Sequence, residues 1–167
     1  MGAGIVDQTD LYGSHMRRAL CLAISFASLC VAFGAYGATL TVVVEGLRNA
    51  KGHVAVAVYS GEQGFPKDDT KAIRRVRAPI DGDTLTANAV WQDLPAGTYA
   101  VSVFHDDNDS GKLETNFFGV PVKSYGFSNN PKPGLRAAKY SEASFMLPAG
   151  GAVIKISCGQ AQRPKSP

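Results

Sequence analysis

From residue 39 to residue 157 apolar side chains recur at every second position in short runs, and glycine or proline interrupts the chain between most of them. "TLTVVVEGL" (39–47) sets Leu40, Val42 and Val44 against Thr41, Val43 and Glu45. A period of two sends alternate side chains to opposite faces, which suits a half-buried strand and not a helix. Similar strand signals recur in "HVAVAVYS" (53–60), the basic "IRRVRAPI" (73–80), "DTLTANAVWQDL" (83–94), "GTYAVSVFH" (97–105), "ASFMLP" (143–148) and "AVIKIS" (152–157). No stretch repeats at helical spacing; residues 67–73 suit at most one short helical turn. Asp81-Gly82 suits a type I′ hairpin turn. Seven short strands separated by turns predict an all-β fold, a seven-stranded antiparallel β-sandwich, with Trp91, Tyr99 and Phe104 near its core.

The chain of 167 residues is long enough for one such domain. Its N-terminus reads as a targeting segment. Arg17 and Arg18 precede "ALCLAISFASLCVAFGAYGA", an apolar run ending in small residues, the pattern of a secretory signal peptide. The expected division is an upstream extension over 1–15, a signal peptide over 16–37, the β-domain over 38–158 and a disordered tail over 159–167. Cleavage after Gly37 leaves Cys158 as the lone cysteine, so no internal disulfide can form. Cys158 falls in phase with Ala152, Ile154 and Ile156 and reads as a small core residue. The formal charge of +3 is mild, and no long basic block points to nucleic acid. The expected product is periplasmic or secreted, monomeric and without a membrane span after cleavage.

Chemistry concentrates in "HDDNDSGKLETN" (105–116), with four acidic residues, two asparagines, a serine and a glycine directly after a strand. Calcium takes several hard oxygen ligands, which a tight loop supplies from alternate side chains and one carbonyl. Counting from Asp106 puts Asn108, Ser110 and Glu114 at alternate positions, Gly111 at the sharp turn, and Lys112 where a carbonyl is wanted. Phe117 stands where an EF-hand has its bidentate glutamate, and a strand replaces the flanking helix. The candidate site is therefore a calcium half-site made of Asp106, Asn108, Ser110, Lys112 and Glu114, to be completed by Asn116, water or a distant residue. Asp107 and Asp109 add long-range attraction. The competing reading is a polar turn, for which the same residue types are favoured. His105, in phase with Val101 and Val103, is expected to hold a structural hydrogen bond.

A second candidate follows in "KSYGFSNNPKPG" (123–134), where Tyr125 and Phe127 could wall a ligand groove and Asn129 and Asn130 could serve as polar handles. The alternative is a self-packed loop whose amides bond backbone. "KAIRRVRAP" (71–79) groups Lys71, Arg74, Arg75 and Arg77, fit either for acidic glycans and lipid phosphates or for guarding an edge strand. Nucleophile elbows, phosphate loops and zinc motifs are absent. An Asp106–Glu114 carboxylate pair is the one basis for an uncharacterised hydrolase, and the chain is read as a non-enzyme.

"LPAGTYAVSVFHDDNDSGKLETNFFGVPVKSYGFSNN" (94–130) resembles the bacterial exported family catalogued as domain of unknown function 2141. The elements carrying the resemblance are Pro95 with Gly97, Thr98 and Tyr99, then His105-Asp106, the loop Asn108–Asn116, and Gly126–Asn130. "GLRNAKGHVAVAVYSGEQGFP" (46–66) also fits. The resemblance implies one exported sandwich domain and supplies no activity, ligand or catalytic residue. "LPAGTYAVSV" is also similar to transthyretin-like and collagen-adhesin repeats, so the sandwich is expected to be immunoglobulin-like or transthyretin-like. The functional expectation is an exported envelope binding or structural module, calcium-stabilised through the acidic loop, with an unidentified envelope or extracellular partner. A metal-independent module for a small molecule or glycan is the alternative.

Overall fold

The computed structural model describes residues 37–114, 122–132 and 136–159. The expected segments 1–15 and 16–37 (apart from Gly37), the tail beyond Gly159, and Asn116, Phe117 and Phe118 lie outside them. Among the described residues no helix is long and apolar enough to cross a membrane.

All seven expected strands form: β1 (Ala38–Glu45), β2 (His53–Tyr59), β3 (Arg74–Asp81), β4 (Thr86–Leu94), β5 (Gly97–Asp106), β7 (Phe145–Leu147) and β8 (Ala152–Ser157). An eighth, β6 (Tyr125–Phe127), lies inside the stretch read as a loop, either walling a ligand groove or packed on itself. A 3₁₀ turn at Asp69–Lys71 and a single helical turn, α1 (Tyr140–Ala143), complete the set. Asp81 acts differently from the expected tight hairpin. Its carboxylate accepts from the amides of Asp83 and Thr84, and the turn runs on to Leu85.

The arrangement corrects the expected antiparallel seven-stranded sandwich. The strands run in the order β6-β5-β2-β3-β4-β1-β8, with β7 also on β5. β8 pairs with β1 in parallel, Leu40 facing Ala152 and Val44 facing Ile156, so the sheet is mixed. It nearly closes into a barrel, because Tyr125 and Gly159 exchange both backbone hydrogen bonds and so join β6 to the end of β8. Alternation within each strand could not show this, because it fixes faces and leaves partners open.

Inward-facing Leu40, Val42 and Val44, Val54, Val56 and Val58, Tyr99, Val101 and Val103, with Ile156 and Cys158, make the core. Burial pushes the Cys158 thiol up to about 12, in keeping with an inert core residue. Trp91 packs partly against this core, whereas Phe104 points to the outer face. A second cluster forms outside the barrel, where Phe127, Ala100, Ala138 and Ala143 bury beneath Phe65, Tyr125 and Tyr140.

Candidate functional site

β5 ends at Asp106, whose side chain is fully buried although the next eight residues are exposed. Positive φ at Asp109 and Gly111 curls the chain back over it. Asp106 Oδ2 then accepts from the Gly111 amide at 2.7 Å, and Oδ1 from the Ser110 amide at 3.2 Å. A carboxylate that accepts backbone N–H bonds fixes a loop from within.

The five residues picked by spacing do converge, and a lysine stands at their focus. Lys123 Nζ donates to Asp106 Oδ1 at 2.5 Å, Asn108 Oδ1 at 2.6 Å, Ser110 Oγ at 2.6 Å and the Lys112 carbonyl at 3.0 Å. Glu114 Oε1 lies 3.5 Å away and accepts from Asn108 Nδ2 at 2.9 Å. The Lys123 side chain is 4% exposed. Burial pushes the Asp106 carboxyl up, yet the hydrogen bonds from Lys123 and Gly111 and the charges of Lys123 and His53 outweigh it and hold its pKa below the ordinary range. The sequence carries no spacing signal for Lys123, which enters from beyond the loop.

Two histidines flank the site. His105 is buried, as its phase implies, and its Nε2 lies 2.8 Å from the Lys51 carbonyl. His53 Nδ1 lies 2.5 Å from Asp109 Oδ1, and its Nε2 is 3.6 Å from Asp106 Oδ2. His53, Asp106 and Asp109 together bring one nitrogen and two carboxylates close enough to share an ion. With Asp106 held by Lys123 and Asp109 exposed, that trio is weaker as a metal site than as a hydrogen-bonded clasp.

The second candidate resolves into two parts. Asn129 Nδ2 donates to the Ser144 carbonyl at 2.7 Å, and Asn130 bonds both the Lys155 carbonyl and the Ser157 amide. Those amides clamp β6 to its neighbours, as in the self-packed alternative, and they do not face a ligand groove. Tyr125 and Phe127 instead line a depression on the outer face. On the outer face, register places Arg77, Ala55, Phe104 and Tyr125 in one row across β3, β2, β5 and β6. Arg75, Ala57, Ser102 and Phe127 form the next row. The small residues of β2 and β5 leave a depression between an arginine ridge and an aromatic ridge. It is an open groove of about 960 Å³.

Gly111, Lys112 and Leu113 of the acidic loop also line this groove, as do Lys67 and Arg136. The Arg77 guanidinium sits so close to Gly111 that a Cβ there would lie 3.3 Å from Nη2. The basic stretch and the aromatic stretch, read separately in the sequence, thus line a single groove with the acidic loop beside them.

A nearly closed, mixed β-barrel with an outer-face groove and a buried acid–lysine cluster defines the class of protein. Within that class the chain belongs to the family described as uncharacterized protein conserved in bacteria (DUF2141), which matches residues 42–155. No curated protein and no solved structure matches it.

Proposed function

We propose that this chain is an exported binding module of the bacterial envelope that takes its ligand in the outer-face groove, with the acidic loop as a preset wall. The observation that carries this reading is the pair of cross-strand rows, which bring Arg75 and Arg77 to face Phe104, Tyr125 and Phe127 across an alanine and serine floor. Concave sites of roughly 300–1,000 Å³ with aromatic walls and a few placed polar groups are where proteins hold small ligands. The exported address rests on the signal-peptide pattern at Arg17–Ala38.

Lys123 makes the wall independent of metal by supplying the positive charge that Asp106 and Glu114 require. A calcium-stabilised module is the second reading, and one observation favours it. Four oxygens stand within 3.0 Å of Nζ, whereas an ammonium has three protons to donate. Calcium would have to displace Lys123 to use them. Hydrolysis gains no support, since Asp106 and Glu114 both lie against that one lysine.

The test is a thermal-unfolding screen of the full chain against small anions, glycans and apolar compounds, repeated on Tyr125→Ala. A ligand that binds only the folded state raises its stability. A shift lost in Tyr125→Ala supports the groove. Shifts with calcium alone, unaffected by Tyr125→Ala, transfer the function to the loop.

A further inference from the structure

The groove's chemistry is asymmetric, and that asymmetry specifies the ligand. Arg75 and Arg77 stand two residues apart on one strand, so their stems are about 7 Å apart. Among the described residues Arg77, Lys67 and Lys112 form no ion pair, and all three line the groove. Asp69 is the lone carboxylate among the lining residues and already lies 3.5 Å from Arg75. Opposite stand Phe104 and Tyr125, both partly exposed. Phe104 stands two strand spacings from Arg77, about 9.5 Å, and Tyr125 three, about 14 Å, so the floor along β2 and β5 has room for one chain of sugar rings between the ridges.

We infer that the groove binds an acidic oligosaccharide, a chain of uronic-acid type, with its carboxylates on Arg77 and Arg75 and the C–H faces of its rings against Phe104 and Tyr125. This inference rests on the groove reading and narrows it to one ligand class. A sugar ring has an apolar face and, in a uronic acid, a carboxylate on its edge, so it satisfies both ridges at once. A free phosphate satisfies the arginines and leaves the aromatic ridge and most of the volume untouched. A lipid would want its cations grouped at one end of an apolar channel, whereas these run along the groove.

The experiment is calorimetric titration of the full chain with a galacturonic acid oligomer, a neutral cello-oligosaccharide and phosphatidylglycerol vesicles. The acidic oligomer is expected to bind saturably and more weakly as salt rises, and the neutral one not to bind. Arg77→Gln removes a charge-assisted hydrogen bond and should weaken binding by about tenfold or more. Tyr125→Ala should weaken it by a comparable factor, and Lys155→Gln, away from the groove, should leave it unchanged; circular dichroism checks that each variant folds. Acid-oligomer binding that ignores both Arg77→Gln and Tyr125→Ala overturns the inference. Failure of the oligomer, with vesicles or another compound binding in a Tyr125-dependent way, overturns the ligand class and keeps the groove. Failure of every probe to depend on either residue overturns both.

Discussion

Lys123 Nζ lies 2.5 Å from Asp106 Oδ1, and the two side chains are 4% and 0% exposed. Such a pair is a strong constraint and not automatically a source of stability, because both charges leave water. What favours it here is company: Asn108, Ser110 and the Lys112 carbonyl share the ammonium's other two protons, and two backbone amides share the carboxylate. The lysine does for this loop what an ion does for a calcium loop.

Removing the ammonium alone should therefore be costly. Lys123→Met leaves Asp106 buried and charged, held by the Ser110 and Gly111 amides and the Ser110 hydroxyl with His53 Nε2 3.6 Å away, and breaking a buried pair from one side costs about 3–5 kcal/mol. Urea unfolding of the two proteins measures it. The double variant with Asp106→Asn should recover much of the loss, since neither charge then remains, and no recovery would mean that the two residues are not coupled.

Calcium separates a lysine-filled site from a metal site. The full chain should melt at the same temperature in chelator and in millimolar calcium. Lys123→Glu should behave oppositely. Its shorter carboxylate would stop short of the point the ammonium fills and leave an oxygen-lined space with three carboxylates, Asp106, Glu114 and the new one, which is the ligand set calcium prefers. At a hundredfold excess over its dissociation constant the ion would add about 2.7 kcal/mol, read as an upward melting shift of several degrees. A calcium-dependent shift in the unsubstituted chain would instead mean that the ion displaces Lys123.

Five of the six groups around this point were legible in the sequence because loop ligands alternate, and alternation is a local signal. Lys123 was not, because a side chain arriving from nine residues past Glu114 leaves no periodic trace. The same limit applies to the fold. Leu40–Val44 and Val54–Val58 announced their strands, whereas β6 has three residues with Gly126 at its centre, too short and too poor in side chains for a period of two. That Arg77 and Tyr125 share a groove depends on β2 and β5 lying between them, a matter of pairing and not of pattern.

Acid should loosen the same cluster. The folded state holds the Asp106 pKa below its ordinary 3.8, so the unfolded chain takes up that proton first as pH falls. The contribution is complete above the ordinary value and is lost as pH drops through the lower, folded-state pKa. Glu142, drawn down to about 2 by Arg136 and the Lys139 amide, acts in the same direction. Stability measured from pH 6 down to about pH 2 should fall, and Asp106→Asn should flatten part of that slope. An unchanged slope would show that other carboxylates govern acid unfolding.

Closure of the barrel depends on a missing side chain. A Cβ on Gly126 would stand 2.7 Å from Ile156 Cγ2 and 2.9 Å from the Ser157 carbonyl. Gly126→Ala therefore has to push β6 away from β8, straining the paired bonds between Tyr125 and Gly159 and the Asn130 clamp on Lys155 and Ser157. Overpacking of this kind costs about 1–3 kcal/mol. Hydrogen exchange should show the loss at the amides of Tyr125, Ser157 and Gly159 before it reaches the paired centre of β2 and β5. Because Tyr125 carries the groove's aromatic ridge, ligand binding should weaken together with that local protection. A variant that binds normally while β6 exchanges freely would show that the groove does not need the barrel closed.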